Sequence, residues 1–155
     1  MKVLWDIAEF LWRFRRQMRF GELSRAPLRL LRFEMCGGEA KCEWMARPPD
    51  LWDGDLPSDA CERNEALQAL QDAIQVRELL FRALPEVQSV QLRVYRQSGP
   101  EPPELVITGT VSRDEEPPVS IRSLVMRAKL YGLRFFLDDG LLKALQTQEQ
   151  LELAT

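Results

Sequence analysis

The stretch "PLRLLRFEMCGGEAKCEWMARP", residues 27–48, constrains the fold more than any other part of the chain. Gly37-Gly38 suits a two-residue primed turn, whose central positions need a positive φ that glycine adopts at little cost. Such a turn fixes the register of the strands on either side, and the side chains can test that register. It sets Met35 opposite Ala40, Phe33 opposite Cys42 and Leu31 opposite Trp44, all apolar and on one face. On the other face Glu34 meets Lys41 and Arg32 meets Glu43, opposite charges that attract across a strand pair. A slip of one residue would destroy both patterns. The same register puts Cys36 and Cys42 on opposite faces, so no disulfide between them is expected.

Periodicity divides the rest of the chain. From about Lys2 to Phe20, Leu4, Ile7, Leu11, Phe14 and Met18 recur every three or four residues, which marks one face of a helix. Val3 and Phe10 flank this stripe on one side, and Trp5, Ala8 and Trp12 on the other. The apolar arc is therefore wider than a surface helix normally turns toward a core. "RPPDLWDGDLPSD" reads as a loop. A helix over about 59–84 follows, with Asp59 and Glu62 as a reciprocal cap. Leu67, Leu70, Ile74, Phe81 and Leu84 form its buried face, which Arg77 interrupts. "VQLRVYRQ" and "ELVITGTVSR" alternate as strands, joined by "SGPEPP", and Gly109 within the second marks a bulge or a close backbone approach. Pro117-Pro118 open a third helix over about 118–131, with Ile121, Leu124, Val125 and Ala128 inward and Gly132 as its stop. "LRFFL" is a further strand, "DDG" a turn, and "LLKAL" a short strand or helical turn. The order α-ββ-α-ββ-α-β predicts an α+β two-layer sandwich, a largely antiparallel sheet with helices on one side. One domain is expected over residues 1–145, followed by a polar tail over 146–155.

The segment from about 59 to 138 runs α-ββ-α-β, with "ELVITGTV" in a strand and a helix ending in "AKLYG" before the next strand. In these features it resembles a BON domain. The resemblance implies a small ligand- or membrane-associated binding module rather than an enzyme.

Several chemistries are poorly supplied. The chain has no histidine, the commonest general base and metal ligand. Its three cysteines are odd in number and widely spread, which is neither a disulfide framework nor a structural zinc site. No phosphate-binding or nucleophile-elbow motif occurs. Asp50, Asp53, Asp55 and Asp59 cluster without metal-binding spacing and read as a solvated loop with a helix cap. Asp138-Asp139-Gly140 is a turn before it is a carboxylate pair. Arg113, Arg122, Lys129 and Arg134 read as a scattered basic face. Cys61, in the first turn of the long helix, is the best placed of the thiols to be reactive. No cofactor and no metal is expected.

Charge is distributed unevenly. Residues 1–33 hold eight Lys/Arg and three Asp/Glu, a net +5, and residues 34–155 hold 13 and 21, a net −8, which sum to the overall −3. The basic residues of the first helix, Arg13, Arg15, Arg16 and Arg19, fall in its last turns, where the helix dipole favours them without any partner. Arg15 falls inside the apolar arc and must snorkel or meet a carboxylate. No run of five basic residues occurs, so nucleic acid is not an expected partner. The width of the apolar arc is harder to account for, because one supporting sheet does not cover it. The leading expectation is thus a non-enzymatic protein-interaction module, a homodimer or a subunit of a larger assembly, with Trp5, Phe10 and Trp12 at the interface. The alternative is a peripheral membrane or anion-binding protein using the four arginines, and a thiol enzyme at Cys61 comes third. No apolar run reaches the ~20 residues of a membrane span. Asp6 and Glu9 break the apolar N-terminal stretch, which excludes a signal peptide there, so a cytoplasmic location is expected.

Overall fold

The computed structural model describes residues 2–21, 23, 26–48, 58–97 and 99–145. Its elements are α1 (Lys2–Gln17), β1 (Arg29–Cys36), β2 (Glu39–Met45), α2 (Ser58–Ala83), β3 (Ser89–Arg96), β4 (Glu104–Ser112), α3 (Leu124–Leu130), β5 (Leu133–Asp138) and β6 (Leu141–Lys143). The six strands lie in the sheet in chain order. Every adjacent pair is antiparallel except β2 and β3, which run parallel across the α2 crossover. The α+β architecture follows from alternation within the strands. Ala40, Cys42 and Trp44 on β2 and Val90, Leu92 and Val94 on β3 are all buried on one face. The opposite face shows Glu34, Lys41, Gln91, Arg93 and Thr110 to solvent or leaves them half-buried. Helices therefore cover only the first face.

The Gly37-Gly38 hairpin has the register that its side chains demand, with Arg32 on Glu43, Phe33 on Cys42, Glu34 on Lys41 and Met35 on Ala40. One pair differs. Leu30, not Leu31, faces Trp44, because the register shifts between Leu30 and Arg32. Leu31 is the extra residue of this bulge and is exposed. Absorbing it lets Leu28 and Leu30 reach the covered face.

α2 packs against both α1 and α3 in the helical layer. Ala66, Ala69, Ala73 and Ala83 keep its surface narrow enough for neighbours on several sides, and Leu70, Val76 and Leu80 fill the gaps. Leu67, expected inside, is exposed. Gln68 and Asp72, further round the helix, are buried instead. Arg77 is also buried. Its guanidinium donates to the carbonyls of Ser112, Arg113 and Glu115 and lies over the rings of Phe81 and Tyr131, at 4.9 and 4.4 Å. The residue that broke the sequence pattern thus fastens α2 to the exit of β4.

Two helix boundaries depart from expectation. α1 stops at Gln17, before Phe20, because the Met18 carbonyl turns to accept from the Leu28 amide. α3 begins at Leu124 rather than near 118. Pro117-Pro118 lead into a turn closed by the Ile121 amide on the Pro118 carbonyl, and the Ser123 hydroxyl caps the helix at Met126 N. Gly109 marks a close approach of backbones, since a Cβ there would lie 2.3 Å from the Gly132 carbonyl oxygen.

Candidate functional site

The wide apolar arc of α1 divides in two. Phe10, Phe14 and Met18, spaced four residues apart, enter the core, with Ile7 and Leu11 partly buried beside them. Phe10 has no exposed surface and stacks on Phe33 at a centroid distance of 4.9 Å. It is a core residue and offers nothing to a partner, which corrects its assignment to the interface. The covered stripe is rotated toward Phe10 because Phe33 and Phe14 close around that ring. Leu4, expected inward, is consequently left 68% exposed.

On the far side of the helix Trp5 is 74% and Trp12 58% exposed. At ~100° per residue, Trp5, Ala8, Trp12, Arg15 and Arg16 share one outward arc, and all five are exposed. Among the described residues Arg15 meets no carboxylate, and it is exposed. The Arg16 guanidinium lies 5.2 Å from the Trp12 ring, and just past the helix Arg19 lies 5.3 Å from that of Phe20. Arg13 is set apart, engaged by Glu9 at 2.7 Å. Asp6 is part-buried and also off the outward arc. The sequence-predicted residues therefore yield one coherent surface of two tryptophans and three arginines, without Phe10 and Arg13.

A second feature was not apparent from the sequence. A cavity of about 920 Å³ opens where β2 and β3 end, beside the first half of α2 and beside β6. Leu28, Ala66, Ala69 and Val106 form its apolar wall, and Arg29, Arg96 and Lys143 are its cationic side chains, together with Arg47. Every nitrogen of Arg47 is engaged: it grips Asp72 with Nε at 2.8 Å and Nη2 at 3.1 Å and also donates to the Ala26 carbonyl. Gln68 extends this network, donating to Asp72 at 2.9 Å and accepting from the Leu23 amide at 2.6 Å. Burial pushes the Asp72 carboxyl above its ordinary range, while Arg47 and Gln68 hold it down to a lesser extent. The network ties the segment between α1 and β1 to α2. A long helix joining two strands is the signal that could have foretold the parallel pair and a cleft at its carboxyl end.

The other candidates are not drawn into a site. Cys42 is buried among apolar groups, which pushes its thiol far up and makes it inert. Cys61 is half-buried and already engaged in a contact, and Cys36 is exposed. Asp139 has φ 54° and Gly140 φ 80°, the left-handed backbone of a tight turn, and Asp139 lies 3.6 Å from Arg63. Arg113 is committed to the carbonyls of Phe81, Leu84 and Val87, while Lys129 sits over Phe135, so the scattered basic face does not converge. Asp50, Asp53 and Asp55 lie outside the described residues, as does the side chain of Asp59. Among the described residues no group of acidic or cysteine side chains could hold a metal ion, and no helix is long and apolar enough to cross a membrane. Comparison with protein-family models, with curated proteins and with solved structures gives no match.

Proposed function

We propose that this chain is a non-enzymatic interaction module that docks an acidic protein surface through the outward face of α1. The observation that carries the reading is the exposure of Trp5 and Trp12 beside Arg15 and Arg16, on the side of the helix turned away from the core. Tryptophan and arginine are the residues most enriched at the energetic centres of protein interfaces. Both indoles are large, and leaving them wet forfeits roughly 25 cal/mol per Å² of apolar area that a partner would cover. A second copy of the chain offers a suitable acidic surface, since residues 34–155 carry 21 acidic against 13 basic side chains.

The same arginines favour a second reading, adsorption to an anionic bilayer, where tryptophan also settles at the interface. Sedimentation over a range of concentrations, native pull-down and flotation with anionic vesicles separate the two. The Trp5→Gln/Trp12→Gln double variant is expected to lose association while its thermal midpoint stays with wild type. Phe10→Ala, the control, is expected to lose about 3–5 kcal/mol of stability. Association that survives the double substitution would end the docking proposal. Flotation with vesicles in the absence of any protein partner would replace it with the bilayer reading.

A further inference from the structure

We propose that the cavity at the ends of β2 and β3 binds a small apolar carboxylic acid. The volume, about 920 Å³, lies within the ~300–1,000 Å³ of ordinary small-molecule sites. Its position is the end of a crossover pair at which open sheets leave ligand clefts. The chemistry of the walls sets the ligand class. Leu28, Ala66, Ala69 and Val106 offer an apolar bed for a ring or a branched chain.

The polar groups divide into those already satisfied and those still available. Arg47 is consumed by Asp72 and the Ala26 carbonyl, and Glu65 is already engaged. Arg96 gives Nη1 to the Leu142 carbonyl at 2.6 Å and Nη2 to Glu104 at 3.1 Å, but its buried Nε has no acceptor among the described residues. Arg29 and Lys143 are exposed and make no ion pair among the described residues. The donors left over are thus those of Arg29, Lys143 and Arg96, from β1, β6 and β3. Glu62 and Glu65, on α2, are the opposing carboxylates on the lining. A ligand that sets its ring on the alanine and leucine wall and its carboxylate at this cationic rim replaces water there with charge-assisted hydrogen bonds. The site is independent of the α1 face and stands whether or not that face docks a partner.

The test uses 2-naphthoate on the full chain, with 2-naphthamide and 2-naphthylmethylamine as neutral and cationic relatives of the same shape, followed by calorimetry. Saturable binding of one naphthoate per chain is expected, with the amide at least roughly tenfold weaker. Arg29→Gln/Lys143→Gln is expected to weaken naphthoate by a similar factor, with its circular dichroism and thermal midpoint unchanged because both side chains are exposed. Trp5→Gln/Trp12→Gln should bind naphthoate as wild type does, which keeps this result separate from the docking proposal. Equal binding of acid and amide, tighter binding of the amine, or a double variant that binds as well as wild type would each overturn the assignment, and so would an absence of binding by all three probes.

Discussion

Arg47 and Asp72 carry the sharpest consequences of any single pair. Both side chains are almost fully buried, so each depends on the other to offset the loss of water. Arg47→Met leaves Asp72 buried without a cation and is expected to cost about 3–5 kcal/mol near neutral pH. A carboxyl whose pKa is higher in the fold than in the unfolded chain stabilises the fold while protonated, and that contribution disappears as pH rises through the raised value. Burial already raises Asp72 and Arg47 holds it down, so removing Arg47 raises it further. The deficit of Arg47→Met relative to wild type should therefore be smaller at about pH 4.5 than at about pH 7.5. Urea denaturation at both values checks this, and an equal deficit at both would contradict it. None of this pairing was legible in the sequence. Asp72 sits four residues from Gln68 on a helix that otherwise reads as alternating apolar and polar, and its partner lies 25 residues away, just past the end of β2. Gly109 was legible, because a glycine inside an alternating strand has few other reasons to be there.

At the scale of elements, the hairpin shows how far local pattern reaches. Its turn, apolar pairs and charge pairs all point to one register, and that register forms, apart from the bulge at Leu31. A bulge changes which of two adjacent leucines turns inward, and "LRLLRF" contains apolar residues enough to satisfy either choice. For α1 the breadth of the arc was legible, but not the side on which it would be covered. That depended on Phe33, a residue of another element, closing on Phe10. α2 is held at its end by a distant residue as well. Arg113 donates at 2.7–2.9 Å to the carbonyl of Phe81, which the last turn of the helix leaves without an intrahelical partner, and to those of Leu84 and Val87 just beyond the helix. Arg113→Gln should cost about 2–3 kcal/mol, since several part-buried carbonyls lose a charged donor at once. Arg122→Gln, an exposed arginine before α3, is the matched control and should leave the thermal midpoint within error.

For the whole molecule, one long helix crosses between two central strands, and everything else is added to that unit. β2, α2 and β3 hold Trp44, Leu70, Leu80, Leu92 and Val94, all at zero exposure. Amide exchange under native conditions should accordingly be slowest in β2, β3, β4 and the middle of α2, with α3 and β6 opening first. Fast exchange in β2 or β3 while α3 stays protected would show that the order of stability is wrong. The fold class was legible in the sequence because element order and alternation are local properties. The cavity was not, because its walls come from β1, β2, α2, β3, β4 and β6 and meet only once the chain has closed.

The bulge at Leu31 also governs how copies of this molecule can meet. β1 is the last strand of the sheet on its side, and a terminal strand with a regular ladder invites another chain to zip onto it and template fibrous stacking. Here the ladder breaks between Leu30 and Arg32, and Arg29, Arg32 and Glu34 set charges along the same margin. At the opposite margin β6 is only three residues long. An incoming strand meets a bulged, charged ladder on one side and a three-residue strand on the other, so both margins of the sheet disfavour growth by strand addition.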